Sequence, residues 1–245
     1  MYQKERMDNI LQIVKRNGYV TVKFLVESLH YSNATINRDL NVLESQKKVK
    51  RTYGGVEYVE TRYTPLKFRY LKMRSAKLKI AKKAAEFVRD GDLIFMDSST
   101  TTEYMVEFLT TKKNLTVVSN NMALLAKLSE YGINAICLGG RVVEPPSMLG
   151  GDEMLENIMK YRADKCFFSS GFVSEDGWLN SAFVHKLMVQ NSKKSYYLVD
   201  DGKLEMSRRA KRFGLNFSQI SCVISDHAFS EEAKNLYPET EFVKV

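Results

Sequence analysis

Apolar residues recur at helical spacing in two short runs near the start of the chain. Val22 to Leu29 carries Phe24, Leu25, Val26 and Leu29, while Asn33 to Ser45 carries Ile36, Leu40 and Leu43 at i, i+4, i+7, one stripe to bury. A tight polar turn holding His30 separates them, and Ser32 or Asn33 can cap the second helix. An earlier helix over Lys4–Arg16 turns Ile10, Ile13 and Val14 inward and stops at Asn17-Gly18. After the second run, Lys47, Lys48, Lys50 and Arg51 fall on two short strands closed by Tyr53-Gly54-Gly55. Two helices joined by a tight turn, with a basic hairpin behind them, read as a winged helix-turn-helix of residues 1–58.

The pattern changes after residues 59–74, VETRYTPLKFRYLKMR, which contain Pro65 and read as a linker. From 75 to 245 short apolar strands alternate with helices. A helix in AKLKIAKKAAEFV precedes strand 93–97, and helices over Thr101–Leu109 and Met122–Leu128 flank strand 115–119. Strand 134–140, helix Glu153–Tyr161, strand 165–171, helix Phe183–Asn191, strand 195–200 and a last strand at 220–226 complete the series. Strands of four to six apolar residues between helices predict a mostly parallel α/β sheet covered on both faces.

Charge sharpens this division. The chain of 245 residues carries a formal +8, and residues 1–74 hold 15 Lys/Arg against 7 Asp/Glu. Residues 75–245 hold 22 of each, so the positive excess lies with the helix-turn-helix, the footprint of a phosphate-binding module rather than of a merely solvated face. Asn33, Thr35, Asn37, Arg38 and Asn41 face away from the apolar stripe and can read base edges. Thr21, Ser32, Lys48, Lys50, Arg51 and Tyr53 complete the expected contact set for double-stranded DNA. No window approaches the ~20 apolar residues of a membrane span. The N-terminus is no signal peptide, and Cys137, Cys166 and Cys222 read as reduced core thiols without metal spacing. The expected compartment is cytoplasmic.

Ligands of open α/β sheets bind beyond the carboxyl ends of the strands. The first strand ends in Asp97-Ser98-Ser99-Thr100-Thr101-Thr102, hydroxyls at a helix start that suit either an anion cradle or simple capping. Later strands end in Ser119-Asn120, Gly139-Gly140-Arg141, Ser169-Ser170-Gly171 and Asp200-Asp201-Gly202-Lys203. Together they form a rim for a small polyhydroxylated anion, a sugar phosphate, with no separate cofactor. Dinucleotide and P-loop fingerprints are absent. The histidines His30, His185 and His227 are scattered, which argues against a catalytic set, although His185 can reach the rim.

With those residues in view the chain resembles the DeoR family of sugar-operon repressors along nearly its whole length. The resemblance rests on Tyr31-Ser32-Asn33-Ala34-Thr35-Ile36-Asn37-Arg38-Asp39-Leu40, on Arg51-Thr52-Tyr53-Gly54-Gly55, and on Asp97 to Thr102. It extends through Val118-Ser119-Asn120, Leu138-Gly139-Gly140 and Asp200-Asp201-Gly202-Lys203. It implies a sensor domain similar in fold to ribose-5-phosphate isomerase and the CoA transferases, a phosphate held by the 99–102 loop, a sugar phosphate contacted by Lys203, and a homo-oligomer on repeated half-sites. Where those isomerases carry acidic residues, this chain has Ser169-Ser170-Gly171-Phe172 and Val184-His185-Lys186, so the resemblance implies a sensor rather than an isomerase with a DNA-binding appendage.

Three positions depart from the family pattern. Asn37 stands where the recognition pair has an arginine, Ser99 where the phosphate loop has a glycine, and Gly202 where a serine precedes the lysine. Asn37 is expected to shift operator preference, since asparagine pairs bidentately with adenine. Ser99 and Gly202 are expected to alter effector binding.

Overall fold

The computed structural model describes residues 3–17, 19–46, 48–52, 54–58, 66–143, 147–174, 176–205 and 214–245. Its contacts divide it into two units, Met1–Thr64 and Pro65–Val245.

In the first unit, α1 (Gln3–Asn17), β1 (Tyr19–Thr21), α2 (Val22–Leu29) and α3 (Asn33–Ser45) are followed by β2 (Val49–Thr52) and β3 (Gly55–Tyr58). The bounds of α2 and α3 coincide with the two runs expected from the apolar spacing. His30 takes the left-handed conformation that ends α2, at φ 56°, and Ser32 caps α3. The wing has three strands, ordered β1-β3-β2, because Tyr19–Thr21 pairs antiparallel with Gly55–Glu57. A Cβ on Gly55 would overlap the Tyr19 ring, so the glycine lets that ring lie across the pairing. Ile10, Val14, Val20, Leu25, Ile36, Leu40, Leu43, Val49 and Val56 form the core, whereas Phe24 is exposed.

The second unit opens with α4 (Leu66–Leu71) and α5 (Arg74–Glu86), so part of the expected linker is helical. Then follow β4 (Leu93–Met96), α6 (Thr100–Glu103), α7 (Val106–Leu109), β5 (Thr116–Ser119), α8 (Met122–Glu130) and β6 (Asn134–Cys137). A ribbon of β7 (Arg141–Val143) and β8 (Met148–Gly150) leads to α9 (Asp152–Ile158), β9 (Ala163–Phe168) and β10 (Val173–Ser174). Next come α10 (Phe183–Gln190), β11 (Ser192–Val199), β12 (Leu204–Glu205), β13 (Cys222–Ser225), α11 (Glu231–Asn235) and β14 (Glu241–Lys244). The expectation that 220–226 is the last strand is corrected: β14 pairs parallel with β13 and forms the sheet edge. Its half-exposed Glu241-Phe242-Val243-Lys244 lacks the uniform apolar run of a central strand.

The main sheet has seven strands in the order β14-β13-β11-β9-β4-β5-β6, every adjacent pair parallel. Winding from β4 proceeds outward through β5 and β6, then returns to β9 on the other side of β4. The direction of winding therefore reverses between β4 and β9, where an open parallel sheet leaves its ligand crevice. Alternate residues feed two cores. Ile94, Met96, Phe167 and Leu198 pack with α5, α7 and α8 residues on one face; Phe95, Cys166, Phe168 and Tyr197 pack with α9 and α10 residues on the other.

Cys166 and Cys222 are buried in these cores, and burial pushes both thiols up to about 12. The third expected core thiol is corrected: Cys137 is exposed, because it ends edge strand β6. Among the described residues no helix is long and apolar enough to cross a membrane.

Candidate functional site

On the first unit, burial of Ile36, Leu40 and Leu43 leaves the opposite face of α3 to solvent. Asn33, Asn37 and Asn41 stand at i, i+4, i+8 along it, with Arg38 exposed beside them. Ser32 Oγ accepts from Thr35 N at 3.2 Å and pairs with Thr35 Oγ1 at 2.9 Å, while Thr21 Oγ1 accepts from Phe24 N at 3.1 Å. Thr21 and Ser32 are thus helix caps, and the Thr35 hydroxyl pairs with the cap of its own helix. Lys48 and Lys50 are exposed, and Arg51 on β2 turns back onto α3. Its Nη1 donates to Asn41 Oδ1 at 2.6 Å and its Nη2 to Asn37 Oδ1. Tyr53 and Lys47 lie outside the described residues.

Asp39, fully buried on α3, is bound by Arg6 of α1 and by Gln3 Nε2 at 3.3 Å. Sequence reading passed over this pair. An aspartate inside an otherwise apolar stripe was the available signal, since a buried carboxylate demands a partner.

On the second unit, the crevice between β4 and β9 collects the expected anion loop. Asp97 is buried, and its carboxylate accepts from Ser99 N at 3.1 Å, Thr102 Oγ1 at 2.8 Å and Ser169 N at 3.0 Å. His185 Nε2 stands 3.2 Å from it. Burial works against the charge of Asp97, yet these hydrogen bonds, led by His185, hold its pKa below the ordinary value. Asp97 thus ties the loop together. Ser99 sits at φ −82°, where any residue is allowed, and its Oγ caps α6 by accepting from Thr102 N. Nothing in that backbone conformation requires the family's glycine.

Two cations flank the loop. Lys203 Nζ donates to Ser169 Oγ at 2.6 Å and lies 3.6 Å from Asp200 Oδ2, with burial lowering its pKa against the pull of Asp200. Lys77 Nζ donates to Thr100 Oγ1 at 3.1 Å and to the Arg69 carbonyl at 2.6 Å. Burial first, and then the charge of Lys203, lower the Lys77 pKa to about 8. Arg69 adds positive potential to both lysines. Buried Thr101 Oγ1 and Asp200 Oδ2 have no hydrogen-bond partner among the described residues. Lys77 was missed by sequence reading, although it stands on the buried face of α5 with Ala76, Ile80, Ala81 and Ala84. A lysine within a buried stripe is the signal that could have found it.

Other rim residues are brought close but hold the scaffold. Ser119 Oγ donates to the Met96 carbonyl at 2.7 Å, and Asn120 Nδ2 donates to the Leu149 carbonyl at 2.9 Å, tying the β7–β8 ribbon to β5. Ser98 Oγ reaches Met148 Sδ at 2.9 Å. Ser170 Oγ is bonded to Tyr197 Oη at 2.6 Å and to the Phe172 carbonyl, and Gly171 abuts Asn180. Gly139 and Gly140 take positive φ, and a Cβ on Gly140 would stand 2.6 Å from the Gly150 carbonyl. Exposed Arg141 lies along Gly151 at the start of α9. At Gly202, an added side chain would press on Asp200 at 3.1 Å and Met73 at 3.2 Å.

Residues 6–62 match the DeoR-like helix-turn-helix domain, and residues 72–227 match the DeoR C terminal sensor domain. The chain belongs to the DeoR family. It is 30% identical to the HTH-type transcriptional repressor GlcR of Bacillus subtilis, over 92% of this chain and 89% of the relative. It is also 30% identical to the Glycerol-3-phosphate regulon repressor of Escherichia coli, over 92% of each. Among solved structures, ribose 5-phosphate isomerase A of Methanocaldococcus jannaschii aligns at TM-score 0.42 and 19% identity, over 55% of this chain and 56% of that one. This DeoR-family chain is a DNA-binding transcriptional regulator with a parallel-sheet α/β sensor domain.

Proposed function

We propose that the protein represses a carbohydrate-use operon in the cytoplasm and that a phosphorylated sugar in the β4–β9 crevice changes its affinity for the operator. One observation carries the effector reading. Lys77 and Lys203 converge on hydroxyls of the loops that follow β4 and β9, at the reversal of the sheet. Buried Lys77 and half-buried Lys203, whose charge lowers the Lys77 pKa, suit a doubly charged ligand, which neutralises both. Relatives named for repression of glycerol-3-phosphate and lactose systems support a sugar-responsive role. Exposed Phe68 and Leu71 on α4 supply apolar surface of the kind that a homo-oligomer would bury.

Thermal unfolding against a panel of sugar phosphates tests this reading. A ligand at one hundred times its Kd stabilises the protein by ~2.7 kcal/mol. Lys203→Met should remove that stabilisation while operator binding in the absence of ligand persists. Shifts with no member of the panel, or an undiminished shift in the variant, count against the site.

A further inference from the structure

The DNA-facing side of α3 is already committed to internal hydrogen bonds. Asn37 Nδ2 donates to the Asn33 carbonyl at 2.9 Å and is also bonded to Asn33 Oδ1. Asn37 Oδ1 accepts from Arg51 Nη2, so both ends of the amide are in use. Asn41 Oδ1 takes Arg51 Nη1 at 2.6 Å, and Glu44 Oε1 accepts from the backbone N–H of Arg51 at 2.8 Å. One residue of the wing is therefore gripped by three residues of α3, one turn apart from each other.

An amide whose donor and acceptor are both spent inside the protein cannot also make the paired contact to adenine without dismantling this network. The guanidinium, by contrast, has five N–H donors, of which the two amide oxygens take two. Among the described residues its remaining donors have no partner, its side chain is half-buried, and its plane is fixed across the helix face before DNA arrives. Fixing a flexible arginine in advance removes the ordering cost that binding would otherwise carry.

Resting on the reading of this unit as the DNA-binding domain, we propose that Arg51 is the groove-reading cation of this repressor and that Asn37 and Asn41 are positioning residues that aim it. An arginine at 37 would place a second guanidinium against Arg51, whereas asparagine offers it an acceptor. The departure at 37 and the role of Arg51 are thus one adaptation: the positive charge at this point of the face comes from the wing.

Selection of bound duplexes from a randomised DNA library, using the full-length protein, tests the assignment. The wild-type chain, Asn37→Ala, Arg51→Ala and the double variant are compared for base preference and for affinity to the selected sequence. Arg51→Ala is expected to weaken binding about tenfold or more and to flatten preference at particular base pairs. Asn37→Ala should flatten the same base pairs, and the double variant should bind no more weakly than Arg51→Ala alone. A merely structural role for Asn37 would lower affinity without altering which bases are preferred. Losses that multiply in the double variant, or a preference changed by Asn37→Ala at positions Arg51→Ala leaves intact, overturn the proposal and make Asn37 a direct reader. Failure of the wild-type chain to select any sequence would instead overturn the DNA-binding reading beneath it.

Discussion

His185 Nε2 stands 3.2 Å from Asp97 Oδ2, while His185 Nδ1 accepts the Ala182 backbone N–H at 3.1 Å. The second contact leaves Nδ1 without a proton, so Nε2 carries the hydrogen that reaches the carboxylate. A side chain of α10 thereby anchors the loop after β4, across the point where the sheet reverses direction.

Removing that donor should loosen the sensor domain. His185→Ala takes away one of four hydrogen bonds to the buried Asp97, a loss of about 1–3 kcal/mol. Asp97 has a folded pKa below its ordinary 3.8, so its stabilisation is complete above about pH 3.8 and disappears as pH falls through the folded value. In His185→Ala that folded value rises, and acid unfolding begins at higher pH. Denaturant melts between pH 2 and 7 measure both effects, and an unchanged acid limb would deny His185 this role.

Effector affinity should depend on pH through Lys77. Its pKa of about 8 in the ligand-free protein means that the ammonium is lost around pH 8 rather than far above it. An anion binding beside it favours the charged form, so affinity for a sugar phosphate should fall as pH rises through 8. The stability of the ligand-free protein runs the other way: between about 8 and 10.5 the unfolded chain binds the extra proton, and stability rises with pH. Titration calorimetry from pH 6.5 to 9.5 is the check. Lys77→Arg, which keeps its charge, should abolish the decline in affinity.

Operator binding should be strongly salt-dependent, with log K falling against log salt by about 0.9 for each phosphate contact. Exposed Arg38 lies on the outer face of α3, so Arg38→Ala should cost about 1–3 kcal/mol if it reads a base and reduce the slope by about one if it holds a phosphate. Fluorescence anisotropy at several salt concentrations separates the two. An unchanged affinity and slope would place Arg38 outside the interface.

The thiols should react in two classes. Cys137 is exposed and should react with a disulfide reagent in the native protein, whereas Cys166 and Cys222, pushed to about 12 by burial, should wait for unfolding. A colourimetric thiol count before and after denaturant decides this. Fast reaction of all three would contradict the packing of β9 and β13.

The two helices of the helix-turn-helix, the change to α/β alternation and the basic N-terminal end were legible in the residues because each rests on local spacing. Ile36, Leu40 and Leu43 define a buried face wherever the helix docks, and Ser32 caps its own helix. Edge strand β14 and exposed Cys137 were not legible, since whether a strand lies at the centre or the margin depends on the order of pairing. The rim shows the same division. Its hydroxyls and Lys203 could be read from the strand ends, but the sequence could not tell Ser170, spent on Tyr197, from Ser169, which receives Lys203. Nor could it bring Lys77 from α5 to Thr100, or Arg51 to Asn37 and Asn41. By itself the sequence determined which segments fold, which faces they bury and which end of the chain is basic, because periodicity and charge are carried along the chain. Only the tertiary structure decided which polar groups are used up holding the fold and which converge on the β4–β9 crevice, because a hydrogen bond is settled by distance in space, not by position in sequence.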